Sequence, residues 1–463
     1  MEIDVLIFEI GSTTTVVNAF DGIYRNEPRF IGQGKAETSV LAGDVTIGLN
    51  EAIEDLKSNL SVHDIKYKEI FATSSAAGGL KMTVHGLVYD MTVKAAQNAA
   101  LGAGANIHFI TSGKLTAYDL TNIKKIQPNI ILLAGGVDFG EKATALNNAY
   151  EIAKLQLNVP VIYAGNCAIQ PEIEGIFREY GQDAYLTITE NVYPKIDELN
   201  IEPTRKIIQE VFEKHIIHAK GMEKIRDIIN GHIIPTPGAV MQAAQLLEGV
   251  LSDLVVFDVG GATTDLHSVT NGSEDVSRIL ISPEPKAKRT VEGDLGLYVN
   301  HRNLVNIIGK DKLCEDLKIS QEELDEILSN YEAIPSSRQI PLVERLTKEA
   351  LKIALDRHTG KYRSLYGAEG RMKVAEGKDL TNVKYIVGTG GALTRLPNRE
   401  AIIKAIIMNP DPLKLMPPKQ AQILIDNDYI MASIGVLSLK YPNQALKLIM
   451  NSIGLGGEDV STD

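Results

Sequence analysis

Tryptophan is absent from the 463 residues, and cysteine nearly so: Cys167 and Cys314 are the only two. Two thiols so far apart give neither a disulfide framework nor a metal-ligand spacing, and they fit a reducing cytoplasm. No apolar run approaches the ~18 residues of a membrane span. The opening MEIDVL lacks the basic stretch of a signal peptide. Cations are outnumbered, 47 Lys and Arg against 59 Asp and Glu, for a formal net charge of −12. That balance argues against nucleic acid and anionic membrane as partners. A local anion site built from backbone amides stays compatible with it. There is no low-complexity tract and no short repeat.

Two familiar nucleotide motifs are also missing. At Gly113-Lys114 the upstream position that a P-loop needs as glycine is His108, and Leu115 follows. In GAGANI, Ile107 stands where a dinucleotide fingerprint needs its third glycine. His215 and His218 are three apart on one helical stretch, but with no third ligand in view they read as core or solvated residues. Cys167 follows a strand and Gly165-Asn166, a place where parallel sheets bind ligands, although a structural thiol is the plainer reading.

What the sequence does have is one hairpin written twice. Residues 8–20, FEIGSTTTVVNAF, align with 257–269, FDVGGATTDLHSV. Phe8 matches Phe257, Glu9 matches Asp258, Gly11 matches Gly260, and Thr14-Thr15 match Thr263-Thr264. A strand that ends in glycine lets amides approach an anion with no Cβ in the way. Serine and threonine hydroxyls add donors. An acid at the strand end can hold hydrated Mg²⁺ or orient a water. Two such hairpins facing each other would clamp a polyphosphate. A third glycine loop, VGTGGALTR at 387–395, would suit a base and ribose. Each piece alone is an ordinary turn; the three in this order point to a nucleotide. In KRTVEGDLG, Glu292 and Asp294 read equally as water-ordering groups or a solvated loop, and Asp265 as a hydrogen-bond partner of the second loop or a plain turn residue.

The surrounding pattern is α/β. Strands VLIFEI, TVVNAF and RFIGQGKAET precede a helix starting near Asp44, a possible N-cap, and a strand KEIFATSS. Strand–helix alternation from about 127 to 235 suggests parallel βαβ units inserted into the chain. The expected division is 1–126, a first lobe; 127–235, an inserted α/β subdomain; and 236–463, a second lobe.

These motifs resemble the actin/Hsp70/sugar-kinase ATPase superfamily, FEIGSTTT as its first phosphate loop, FDVGGATTD as its second and IVGTGGALT as its adenosine loop. The resemblance implies two ribonuclease-H-like (actin-like ATPase) lobes closing on ATP·Mg²⁺. It implies that Gly11, Ser12, Thr13, Thr14, Gly260, Gly261, Thr263 and Thr264 bind phosphate. Gly388, Gly390, Gly391 and Ala392 would hold adenosine, and Asp258 with Glu9 would serve metal and attacking water. The superfamily has Asp where this chain has Glu9, so Asp258 ranks first. DYIMASIGVLS resembles a crossing helix at the hinge, with TVKAAQNAALGAGA as its expected partner.

With ATSSAAGGLKMTVHGL at 72–87, ILLAGGVD at 131–138 and KRTVEGDLGLY at 288–298, the chain resembles the MutL/GlmL family along essentially its whole length. These accessory proteins accompany adenosylcobalamin-dependent glutamate mutase (methylaspartate mutase) and related aminomutases, and share only a name with mismatch-repair MutL. The resemblance implies a cytoplasmic, ATP-driven reactivating chaperone that exchanges damaged cobalamin on such a mutase. It leaves homo-oligomerisation open. A small-molecule kinase of the same superfamily is the alternative, though no acceptor base is legible; an actin-like filament protein is a third reading.

Overall fold

The computed structural model describes all residues except 12–13, 76–79, 217–220, 368–369 and 457–463. Residues form two compact units. One comprises Met1–Gln242, Ser282–Pro285 and Gly435–Gln444; the other comprises Ala243–Ile281, Lys286–Ile434 and the stretch from Ala445.

In the first unit the opening apolar run becomes β1 (Glu2–Ile10), buried from Ile3 onward. A strand buried on both faces carries a continuous apolar run rather than alternation. β2 (Thr14–Asp21) pairs with it antiparallel, β3 (Arg29–Glu37) pairs antiparallel with β2, and β4 (Lys66–Ser74) joins β1 in parallel. The chain leaves this sheet after β4 and returns as β10 (Ile233–Pro235), parallel to β4. The order is β10-β4-β1-β2-β3. The helix Val45–Asn59 covers it, and Asp44 is its N-cap, accepting a hydrogen bond from Thr46 N. Gly34 permits close approach, since a Cβ there would lie 2.2 Å from Ala52 O.

Between β4 and β10 the chain builds a second sheet. β5 (Leu80–Gly86), β6 (Ala105–Ser112), β7 (Ile130–Leu133), β8 (Val161–Tyr163) and β9 (Leu186–Ile188) run in the order β6-β5-β7-β8-β9, every pairing parallel. The parallel βαβ expectation therefore holds, but a boundary at 127 cuts through this sheet. Its first two strands lie before that position, and β5 is the neighbour on which β7 pairs. Part of its core is separate, built on Ile131, Leu133, Tyr163, Ile173 and Phe177.

The second unit repeats the first sheet. β11 (Leu254–Val259), β12 (Thr264–Val269), β13 (Ala287–Glu292), β16 (Tyr385–Thr389) and β17 (Gln422–Ile425) are ordered β13-β12-β11-β16-β17. As in the first sheet, the opening strand is central, two antiparallel strands lie on one side and two parallel strands on the other. The helix Ile340–His358 packs on it through Leu346, Ala350, Leu351 and Leu355. A ribbon of β14 (Lys361–Gly367) and β15 (Gly370–Glu376), for which the sequence offered no reading, stands beside it. This doubled arrangement is the ribonuclease-H-like pair of sheets that the resemblance implied.

One expected helix partnership is different. In the helix Met431–Ser438, a Cβ on Gly435 would fall 1.8 Å from the carbonyl oxygen of Ala239. Its close neighbour is thus the helix Thr236–Leu251, not TVKAAQNAALGAGA, whose helical part Lys94–Gly102 packs on Glu202–His215. Among the described residues no helix is long and apolar enough to cross a membrane.

Candidate functional site

The two hairpins match in register. Ile10 faces Thr15 and Glu9 faces Val16; Val259 faces Thr264 and Asp258 faces Asp265. Both turns close in the same way, with Gly11 N donating to Thr14 O at 3.0 Å and Gly260 N donating to Thr263 O at 3.0 Å. A Cβ on Gly11 would sit 2.7 Å from Thr14 O, so glycine is what makes this turn so tight.

In the first hairpin Glu9 is buried and accepts a hydrogen bond from Asn18 Nδ2 at 3.4 Å. Gln33 Nε2 donates to Asn18 Oδ1 at 2.8 Å and holds that amide in place. Thr15 is buried with its hydroxyl 3.0 Å from that of Thr38, which itself donates to Gly11 O at 2.9 Å. The Thr15 hydroxyl is therefore structural. Thr14 is half-buried, and its hydroxyl makes no hydrogen bond among the described residues. Ser12 and Thr13 lie outside the described residues.

In the second hairpin the amides of Gly261, Ala262 and Thr263 make no hydrogen bond among the described residues. Three successive open amides in a turn form an anion-binding concavity. The hydroxyls are committed elsewhere. Thr264 is buried and donates to Leu295 O at 2.9 Å, so its expected role as a phosphate donor is not available to the side chain. Thr263 Oγ1 donates to Asp265 Oδ2 at 2.8 Å, the first of the two readings that the sequence left open for Asp265. Arg289 Nη2 donates to Asp265 Oδ1 at 3.1 Å, and both side chains are buried.

The Asp258 carboxylate makes no hydrogen bond among the described residues. Part of its surface stays open to solvent. Burial, reinforced by the Asp265 and Asp426 carboxylates and opposed by Arg289, raises its pKa to about 7. Unpaired acids with such shifts concentrate at functional sites.

The third loop reaches this acid. Gly390 has φ +82°, and a Cβ on it would lie 2.5 Å from Asp258 Oδ1 and 2.6 Å from Val259 N. Gly388, by contrast, is an interior residue of β16: a Cβ there would meet Ile425 Cδ1 at 2.9 Å, and its carbonyl accepts from Asp426 N at 3.0 Å. It contributes packing, not a contact surface. Gly391 has open space on its Cβ side. Gly260, Gly261, Gly391 and Ala392 line one cavity of about 220 Å³, together with Tyr298 and Tyr331. The two tyrosine rings stack 6.4 Å apart, and Tyr331 Oη donates to Leu297 O at 2.9 Å. The wall is mainly apolar, with Glu332 and Arg395 as its charged members, as suits a flat heterocycle. Tyr331 carried no sequence signal.

The charged loop resolves toward structure. Arg357 pairs with both Glu292 and Asp294, bidentately with the latter at 2.8 and 3.0 Å. Asp426, also unanticipated, is fully buried; it accepts from Thr389 Oγ1 at 2.9 Å and from the amides of Ile430 and Met431 at the start of a helix. No group of three or more His, Cys, Asp or Glu side chains is placed to hold a metal among the described residues. Mg²⁺ does not require one, since it usually keeps several waters and takes one or two carboxylates beside phosphate.

Two ribonuclease-H-like sheets, each opening on an acid–glycine hairpin, define an actin-like ATPase fold. The chain belongs to the MutL family: the family described as "MutL protein" matches residues 5–453. It is 37% identical over 458 residues to "Protein MutL" of Clostridium tetanomorphum, covering 96% of this chain and 98% of that one. Among solved structures it is similar to a nucleotide-free acetone carboxylase (TM-score 0.41, 11% identity, 94% of this chain and 70% of that one). A nucleotide-free diol dehydratase-reactivating factor is also similar (TM-score 0.38, 11% identity, 95% of this chain and 100% of that one).

Proposed function

We propose that this chain is an ATP-dependent reactivating factor for an adenosylcobalamin-dependent mutase, of the glutamate mutase type or a related aminomutase. The observation that carries the ATPase half is the repeated hairpin, an acid ahead of a glycine turn in each unit, with the second turn opening onto an apolar cavity beside the third glycine loop. Membership of the MutL family carries the client half.

In the second unit the open amides of Gly261, Ala262 and Thr263 hold phosphate oxygens; in the first, Gly11 and Thr14, with Ser12 and Thr13 on the sequence alone, are the corresponding phosphate-binding positions. Gly391 and Ala392 bound the base, and Gly390 keeps the loop against Asp258. Asp258 would hold hydrated Mg²⁺, which when bound neutralises phosphate charge, and Glu9 is the matching acid of the first unit. Asp258, whose carboxylate has no hydrogen-bond partner among the described residues, also orients the attacking water. ATP binding and hydrolysis bias a two-state change that is read out on the mutase. The β5–β9 sheet, which the repeated sheets do not need, is the client contact.

The test is reactivation. Glutamate mutase loaded with an inactive cobalamin is mixed with this protein, Mg·ATP and free adenosylcobalamin, and mutase activity is followed. Recovery that requires hydrolysable ATP is expected. ATP turnover without recovery on any mutase would move the reading to a small-molecule kinase.

A further inference from the structure

The β5–β9 sheet carries a second cavity that the ATPase reading does not use. All five strands are parallel, and the order β6-β5-β7-β8-β9 is that of a doubly wound sheet, whose ligands bind beyond the carboxyl ends of the strands. The loops after β7, β8 and β9 border an open cavity of about 690 Å³ at that end, one strand beyond the point where the order reverses.

The lining has one electrostatic sign. Asp138, Glu190 and Glu198 contribute carboxylates, Gln170, Asn191 and Asn200 contribute amides, and no lysine, arginine or histidine lines it. Lys195 pairs with Glu198 at 3.1 Å, but Asp138 and Glu190 have no ion-pair partner among the described residues. Asp138 is held in place, its Oδ1 accepting from Cys167 N and Asn191 Nδ2, each at 2.9 Å. Asn191 is itself buried and anchored to Gly136 O. Asn200 Nδ2 donates to Glu190 Oε2 at 2.9 Å. Glu190 Oε1 has no hydrogen-bond partner among the described residues. Burial and the Asp138 carboxylate push the Cys167 thiol up, so it stays a neutral wall group.

The rim is apolar. Phe139 follows Asp138 directly and is 80% exposed, at a left-handed φ of 61° that a bulky aromatic residue rarely adopts. Asn166 Oδ1 fixes it there by accepting from Phe139 N at 2.9 Å. Ile196, between the lining residues Pro194 and Glu198, is 70% exposed. An acidic cavity open to solvent, with Asp138 half-buried and Glu190 and Glu198 exposed, beside solvent-facing apolar side chains suits the residue that combines planar cationic donors with an apolar stem, and arginine is enriched at interface hot spots.

We propose that this cavity is a docking socket for an arginine side chain of a partner protein, with Asp138 and Glu190 accepting the guanidinium and Phe139 packing on the partner's surface. The inference deepens the proposed client contact and rests on it for the partner's identity, while the socket's chemistry is tested without the mutase.

The full chain is titrated calorimetrically with acetyl-Gly-Arg-Gly-amide, acetyl-Gly-Glu-Gly-amide and agmatine. Saturable binding of the arginine peptide alone or in preference to agmatine is expected, weakened about tenfold in Glu190→Gln, which removes one charge-assisted bond. Asp138→Asn should weaken it similarly; because Asp138 also anchors two loops, Glu190→Gln is the variant that decides. Phe139→Ser should weaken the peptide and leave agmatine unchanged. No saturable peptide binding, or binding indifferent to Glu190→Gln, overturns the socket; tighter binding of agmatine than of the peptide overturns the protein partner. A wild-type chain that binds the peptide but reactivates no mutase would sink the client reading and leave the socket standing.

Discussion

Gly390 and Asp258 occupy each other's space: a methyl group on the glycine would lie 2.5 Å from the aspartate's Oδ1. The third glycine loop and the acid of the second hairpin are therefore one construction. Gly390→Ala should cost about 1–3 kcal/mol of stability, from the left-handed φ and the clash together, and should abolish ATP turnover by displacing Asp258. Gly391→Ala, with open space beside it, should change stability by less than about 0.5 kcal/mol while weakening nucleotide binding, because it narrows the cavity. Thermal melts and nucleotide titration of both variants check this; equal behaviour of the two would remove the coupling.

Asp258 should leave a signature in stability against pH. Its folded pKa is raised to about 7 from 3.8, so the folded state holds a proton that the unfolded chain releases. Its contribution is unaffected below about pH 4 and turns destabilising as pH rises toward 7. Asp258→Asn should thus gain stability relative to wild type between pH 5 and pH 8, measured without Mg²⁺, and should lose ATP turnover at every pH. A difference in melting temperature that is flat over that range would refute the buried-acid description.

Buried histidines predict the opposite slope. His85, His267 and His358 are all fully buried and held neutral by desolvation, His85 with its pKa lowered to about 4 and the other two well below 6.5. His358 is clasped by Thr290 and Ser268 hydroxyls, each at 2.8 Å. Lowered histidine pKa values mean that unfolding takes up protons once pH falls below about 6.5, so stability is lost there. Three such groups outweigh Asp258, whose sign is opposite. Urea melts at pH 7.5, 6.5 and 5.5 should show a net loss on acidification, reduced in His358→Gln.

The paired threonines of the second turn should separate structure from binding. Thr264→Val strands the Leu295 carbonyl and should cost about 1–3 kcal/mol with nucleotide affinity unchanged. Thr263→Val instead frees Asp265 Oδ2 beside the open amides and should weaken nucleotide binding. If Thr264→Val alone lost affinity, its hydroxyl would have a ligand role that the Leu295 bond hides.

The doubled hairpin was legible because it is local: acid, glycine and β-branched residues dictate strand, tight turn and strand within a dozen positions. The register pairs Ile10–Thr15 and Val259–Thr264 follow from that alone. Which hydroxyls face a ligand was not legible, since Thr264 is consumed by Leu295 and Thr15 by Thr38, partners that only tertiary packing supplies. Gly388 misled for a related reason: in a strand, a glycine that admits Ile425 looks the same as one that admits a ligand. A boundary drawn at 127 leaves β5 apart from β7 because β5 is built from ordinary alternating residues, LKMTVHG, and only its pairing with β7 reveals the sheet to which it belongs. Tyr331 and Asp426 carried no motif, since one acts through stacking and the other through capping.

The late return of β10 has a consequence for synthesis. The β4 edge from Ala72 to Ser74 finds its partner only at Ile233–Pro235, roughly 160 residues downstream, which at ~5–20 residues per second is on the order of ten to thirty seconds of translation. Until then the nascent N-terminal sheet presents a bare strand edge at the ribosome, the kind of template on which chains aggregate. The intervening sheet, with its own cluster of Ile131, Leu133 and Tyr163, can condense meanwhile and shorten the gap that β10 must close. Slowing elongation within codons 80–230 should therefore lower soluble yield more than slowing it after codon 240.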